Sequence, residues 1–176
     1  LADAAEADML LISGGVSAGK FDLVEPALAR RGARFHFTGV RIQPGKPLVF
    51  GELPGRAGRP VPLFGLPGNP VSSAATFLIF GAPLLAVLSG RPWIGPRFAL
   101  ARMAAATGWR GKPGLTRFLP ARCTHGAAAG EVPEAELISW HGSGDLAALA
   151  RSNCFLVIPE EASELPAGET VTILPF

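Results

Sequence analysis

The sequence predicts an α/β domain followed by a small β-barrel-like domain, and three observations predict it. Within the first 90 residues, two apolar runs each end in a glycine-rich turn and pass into a helix-like stretch, at residues 13–19 (SGGVSAG) and 65–70 (GLPGNP). Strand, turn and helix in that order form the unit from which α/β sheets are wound. After Gly90 the pattern changes to short β-type runs broken by Gly and Pro, the mark of a small barrel or sandwich. A hydrophobic content of 48% over 176 residues supports a real core.

Taken in order, residues 2–7 read as the tail of a helix and residues 7–12 as a buried strand. After the first glycine turn, residues 21–30 read as a helix that stops at Gly32, and residues 34–40 as a second strand. Residues 43–47 (QPGKP) are too proline-rich for a helix or a central strand and read as a loop. Residues 48–50 and 61–64 give two more strands, joined through a Gly/Pro/Arg hairpin tip at 54–60. Asn69 is placed to cap the next helix, with Pro70 at its first position and a kink expected near Pro83. Residues 91–96 read as a linker, so the domains are expected at 1–90 and 91–176. In the second, strands are expected at 98–105, 116–124, 136–139, 154–158 and 170–174, with one helix at 145–152.

Composition narrows the function classes. Charged residues make up 17%, the formal net charge is +2, and there is no Tyr. That leaves no basic, aromatic-interleaved surface for nucleic acid. Cys123 and Cys154 stand alone, without a CxxC or a ligand-spaced His, and read as reduced thiols in a cytoplasmic protein. His36, His125 and His141 form no HExxH or i,i+4 pair of histidines and read as ordinary surface or strand residues. The apolar stretch 71–88 is interrupted by Ser72, Ser73, Thr76, Gly81 and Pro83 and reads as a core helix, with no membrane partner. The chain opens without an initiator Met or a basic n-region, which reads as no signal peptide and an N-terminus lying upstream.

Chemistry is expected at the two glycine turns. Gly14, Gly15 and Gly19 can take positive φ and let a ligand approach the backbone, and the N–H groups of the following helix face that ligand. Phosphate or a similar oxyanion is the natural guest. Pro67, Gly68, Asn69 and Pro70 repeat the arrangement, Ser17 belongs to the first loop, and Ser72 and Ser13 are either hydroxyl donors for an oxyanion or merely helix-start and strand-end residues. In open α/β sheets such turns gather at the carboxyl ends of the strands, so one shared pocket is expected. SGGVSAG fits neither G-x-G-x-x-G nor the P-loop, which argues against a generic nucleotide site. Asp22 has two readings: a carboxylate bridged to the anion by Mg²⁺, or a first-turn Asp complementing the helix dipole. Lys46, between Gly45 and Pro47, is either aimed at an anion or simply solvated. No Ser or Cys sits in a G-x-S-x-G elbow with a positioned His, and no carboxylates pair at a recognisable glycosidase or protease spacing.

The chain resembles the molybdopterin molybdenumtransferase family, the MoeA and gephyrin E-domain type. The resemblance rests on SGGVSAGKFD (13–22), PGKPLVFG (44–51), GLPGNPVS (65–72) and GSGDLAALARSNCFLVIPE (142–160). It implies an incomplete MogA/MoaB-like three-layer α/β domain that binds molybdopterin, followed by the family's C-terminal β-barrel domain. It further implies insertion of molybdate into adenylylated molybdopterin, with Mg²⁺-dependent cleavage of the phosphoanhydride and release of AMP. By the same resemblance the first glycine loop cradles the pyrophosphate and Asp22 helps hold the metal. Lys46 and Ser72 attract molybdate, and Ser143 stands near it. A homodimer is implied, with a molybdopterin adenylyltransferase acting upstream. Two departures stand out: Gln43 where the family often has Lys, and Pro120 where many members carry Arg, with Arg117 or Arg122 as substitutes. The alternatives are a molybdopterin adenylyltransferase and a non-catalytic scaffold of the same fold.

Overall fold

The computed structural model describes residues 4, 6–16, 23–92, 95–124 and 132–176. Two compact units emerge, one made of residues 1–40 with 45–94 and the other of residues 41–44 with 95–176. The expected first domain runs unbroken to residue 90, whereas residues 41–44 fold with the second unit. The reason is a short strand at Ile42–Gln43, at the start of the proline-rich loop, which pairs with Thr116 and Arg117 of the second unit.

The first unit begins with β1 (Leu10–Ser13), α1 (Val24–Ala29) and β2 (Arg34–Phe37). The chain then lends β3 (Ile42–Gln43) to the second unit and returns with β4 (Val49–Leu53) and β5 (Val61–Leu66). A 3₁₀ turn at Arg56–Gly58 forms the expected hairpin tip. The helical run follows as α2 (Pro70–Thr76), a π-helical stretch (Phe77–Gly81) and α3 (Ala82–Leu88). The sheet order is β1-β5-β4-β2, with β1 parallel to β5 and the other pairs antiparallel.

Alternation along the strands decides which helix covers which face. Val49, Leu53, Val61 and Leu63 point to one side, where Leu28 of α1 joins them. Phe64, Leu66 and Phe50 point to the other, where Phe77, Phe80 and Leu84 of the helical run pack. The result is the α, β, α layering expected of this domain. α1 ends in a Schellman arrangement: Ala33 N–H donates to the Leu28 carbonyl and Gly32 N–H to that of Ala29, with Gly32 at φ +80°. The run from Pro70 to Leu88 is long and apolar enough to cross a membrane by length and composition, and its inner face is the one seated on the sheet. The expected disturbance near Pro83 is the π-helical stretch just before it. Proline lacks the N–H that an uninterrupted helix would use there.

The second unit contains β6 (Ala99–Met103), β7 (Trp109–Arg110), β8 (Thr116–Thr124), β9 (Glu134–Leu137), α4 (Leu146–Arg151), β10 (Cys154–Ile158), β11 (Glu164–Leu165) and β12 (Thr170–Pro175). Strands β10, β12, β6, β9 and β8 pair in that order, and β8 pairs back to β10, closing a five-stranded ring. β3 adds to β8 in parallel, with Ile42 opposite Thr116 and Gln43 opposite Arg117. β7 and β11 form a separate ribbon. The ring is filled by Met103, Leu119, Leu156, Ile158, Val171 and Ile173, among others. The β9 strand lies two residues earlier than expected, at Glu134–Leu137.

Candidate functional site

The first unit gathers the glycine turns at one end of its sheet. Because β1 and β5 are parallel and in register at Ser13 and Leu66, both turns leave the sheet at its carboxyl end. Gly14 N–H extends the ladder by donating to the Leu66 carbonyl (2.9 Å). Gly14 and Gly15 lie at φ +84° and +70°, a region costly for any side chain. A Cβ placed on Gly68 would stand 3.4 Å from the Gly14 Cα, so the two loops meet backbone to backbone. Val16 folds over Gly65, where a Cβ would come within 2.6 Å of its Cγ1. The loop is thereby fastened onto the sheet, and its polar backbone is left at the rim.

Strand β4 runs antiparallel to β5, with Val49 opposite Gly65. The residues just before β4, Lys46 included, therefore enter at the same sheet end. The Lys46 carbonyl accepts the Val40 N–H (3.0 Å), which fixes the backbone, and the residue is exposed. On the second loop Pro67 is buried, Gly68 and Asn69 are exposed, and Pro70 opens α2. Asn69 has extended backbone, and its carbonyl accepts the Ser73 N–H (2.8 Å). Ser72 is 5% exposed, in the buried face of the first turn, and its carbonyl accepts the Thr76 hydroxyl.

The geometry thus brings Ser13, Gly14 and Gly15 together with Pro67 and Gly68, and sets Lys46 at the same sheet end. Ser17, Gly19 and Asp22 lie outside the described residues. Ser143 is half-buried in the second unit. Among the described residues, no three His, Cys, Asp or Glu side chains are grouped so as to hold a metal ion. Pro120 is fully buried within β8, where its carbonyl accepts the Ile138 N–H. Arg117 lies over the Trp109 ring, 5.3 Å from its centroid, and donates to the Leu115 carbonyl. Both cysteines are free, and burial, followed by the charge of Cys123, pushes the Cys154 thiol up to about 12.

One pair was not visible as such in the sequence. The turn between β9 and α4 holds His141 against Asp145: the His141 N–H donates to Asp145 Oδ2 (3.0 Å), and Nδ1 lies 3.3 Å from the same oxygen. Asp145 Oδ1 accepts the Ala148 N–H (2.9 Å) and caps α4. The signal that could have found it is the spacing itself, an Asp at a helix start four residues after a His.

A three-layer α/β unit with paired glycine turns at the carboxyl ends of parallel strands, carried with a small closed β unit, defines an α/β protein with an appended barrel-like unit. Residues 1–87 match the family described as "Probable molybdopterin binding domain", and residues 102–176 match "MoeA C-terminal region (domain IV)". With both regions matched in this order, the chain belongs to the MoeA family. It is 34% identical over 177 residues to a molybdopterin molybdenumtransferase of Haemophilus influenzae, covering 100% of this chain and 41% of that protein. A protein of the same name from Nostoc is 33% identical over 97% of this chain and 38% of its own length. The crystal structure of a molybdopterin biosynthesis MoeA protein from Pyrococcus horikoshii superposes with a TM-score of 0.71 at 28% identity, over 96% of this chain and 37% of that one. The chain therefore spans about two fifths of the length of these relatives.

Proposed function

We propose that this chain serves molybdenum cofactor biosynthesis as a molybdopterin molybdenumtransferase, inserting molybdate into adenylylated molybdopterin with release of AMP. The observation that carries the reading is the meeting of the two glycine loops, Gly14 against Gly68, at the carboxyl end of the parallel pair β1 and β5. Two glycine turns that meet at one sheet end let the oxygens of a pyrophosphate approach the backbone from both sides. In this reading Ser13, Gly14, Gly15, Ser17 and Gly19 cradle the pyrophosphate, and Pro67, Gly68, Asn69 and Pro70 shape the opposite rim. Lys46 attracts the molybdate by charge, Ser72 contributes from the first turn of α2, and Ser143 stands beside the oxyanion. Cleaving the phosphoanhydride breaks one P–O bond, and water supplies the oxygen and protons that complete AMP and the molybdopterin phosphate.

Asp22 is the proposed Mg²⁺ ligand. A bound Mg²⁺ would offset the charge of the pyrophosphate, and the described residues supply no further ligand cluster for it. The relatives' names support the reaction class, and a cytoplasmic homodimer fed by a molybdopterin adenylyltransferase belongs to the same proposal. The test is AMP release from adenylylated molybdopterin and molybdate by the intact protein and its Asp22→Ala and Lys46→Ala variants. Each variant is expected to lose at least about 100-fold in rate while its melting temperature stays at the parent value. Undiminished AMP release in both variants would falsify the assigned roles.

A further inference from the structure

We propose that Val16 and Gly65 form a positioning pair: the valine seats in a socket left in the sheet by the missing side chain of Gly65, and this seat presets the first glycine loop for its ligand. The inference rests on the reading that the two glycine loops hold a pyrophosphate, and it gives a role at that site to two residues outside the cradle. Alternation along β5 turns Val61, Leu63 and position 65 toward α1, while Phe64 and Leu66 face the other way. A large apolar residue is expected at position 65, and a glycine stands there. Gly65 is buried in the strand and is not among the glycines at positive φ, so its backbone conformation is open to any side chain. Space excludes one instead. A Cβ at position 65 would come within 2.6 Å of Val16 Cγ1 and 3.2 Å of Val49 Cβ.

Val16 fills the place that the strand leaves open. It comes from the loop, yet it is 3% exposed and belongs to the same buried cluster as Leu28, Val49 and Leu63. Across the sheet, Gly65 lies between Ile12 of β1 and Val49 of β4, and both pack in that cluster. A second point of fit lies one residue back, where a Cβ on Gly15 would stand 2.8 Å from Val24 Cγ2 and the Val24 N–H donates to the Gly15 carbonyl (3.4 Å). The two glycines at positive φ are therefore held from three sides: by the Leu66 carbonyl on Gly14, by Val24 on Gly15, and by the seated Val16 that follows. A loop held in its binding conformation before the ligand arrives loses little freedom on binding. Unseating Val16 lowers the fraction of molecules in that conformation, and the affinity falls by the same factor.

The test is a double-mutant cycle on the full chain with Gly65→Ala, Val16→Ala and the two combined. It is read by calorimetric titration with inorganic pyrophosphate in Mg²⁺ buffer, by melting temperature, and by hydrogen exchange of the Gly14 amide. Gly65→Ala pushes Val16 out of its seat and is expected to weaken pyrophosphate binding about tenfold, as for a loop in place about a tenth of the time. Val16→Ala empties the seat and is expected to weaken binding in the same direction. In the double variant the two β-carbons stand 3.5 Å apart, an ordinary contact, so affinity and Gly14 protection should return most of the way to those of the parent. A purely structural pair would lower the melting temperatures and leave the affinity alone. Parent-like binding by either folded single variant, or single losses that merely add in the double, would overturn the inference while the pyrophosphate reading stands. If Gly65→Ala alone does not fold, a double variant that folds and binds supports the seat, and one that does neither overturns it. If the parent binds no pyrophosphate, that reading falls and Gly14 exchange decides: faster in the single variants and restored in the double supports the seat, and unchanged exchange overturns it.

Discussion

At the scale of single residues, Asp145 does two structural tasks with one carboxylate, and pH acts on both. The N–H groups of Ala148 and His141, with a smaller contribution from the His141 ring, hold its carboxyl below the ordinary carboxylate range. A group whose pKa is lowered on folding adds stability that is complete above its unfolded value, about 3.9, and is lost as pH falls through the folded value. Replacing Asp145 by Ala should therefore lower the melting temperature clearly at pH 7. The gap between variant and parent should close as the buffer is taken from about pH 4 downward. Thermal melts of both proteins across that range measure it, and a gap independent of pH would mean that the charge on Asp145 contributes nothing to capping α4. Lys46 differs: its side chain is exposed and makes no hydrogen bond or ion pair among the described residues, which allows its replacement to report function.

Among the elements, β2 and β4 show how a backbone contact constrains a residue type. Their register shifts between Phe35 and Phe37, so Phe37 pairs with Phe50 while Phe35 pairs with Gly51. A Cβ on Gly51 would come within 2.4 Å of the Arg34 carbonyl oxygen and 3.1 Å of the Phe35 Cα. Neither is the end of a flexible side chain, so Gly51→Ala must push the strands apart. The expected cost is about 1–3 kcal/mol, read as a lower urea midpoint, and an unchanged midpoint would show that the bulge can absorb a methyl group. Short β-type runs such as 154–158 and 116–124 were legible in the sequence because turn residues bound them on both sides. β3 was not, because two residues before a proline carry no periodic signal. Its strand character comes from pairing with β8, a partner more than 70 residues away. The glycine turns were legible as candidate anion sites because their conformational demand is written in the residue type. The pairing of His141 with Asp145 depends on a turn geometry that no motif encodes.

On the scale of the whole chain, the hydrophobic residues are divided between separate buried clusters, and this governs how mutations should combine. Leu63 belongs to the cluster under α1 and Leu156 to the filling of the closed β unit; both have no exposed surface. The two clusters have no member in common, and each fills its own unit. Truncation of either leucine to Ala removes buried methyl groups and leaves a cavity, at a cost of about 2–5 kcal/mol. Sites without shared partners add to within about 0.5 kcal/mol, whereas sites that share a relaxing core do not. The double variant should therefore lose the sum of the two single losses. Calorimetry should also show Leu63→Ala lowering the transition of the first unit more than that of the second, with Leu156→Ala doing the reverse. A coupling well beyond about 0.5 kcal/mol, or a single transition that both substitutions lower equally, would mean that the units unfold as one body. In that case, stability measured at either end of the chain would report on the glycine loops and the His141 turn alike.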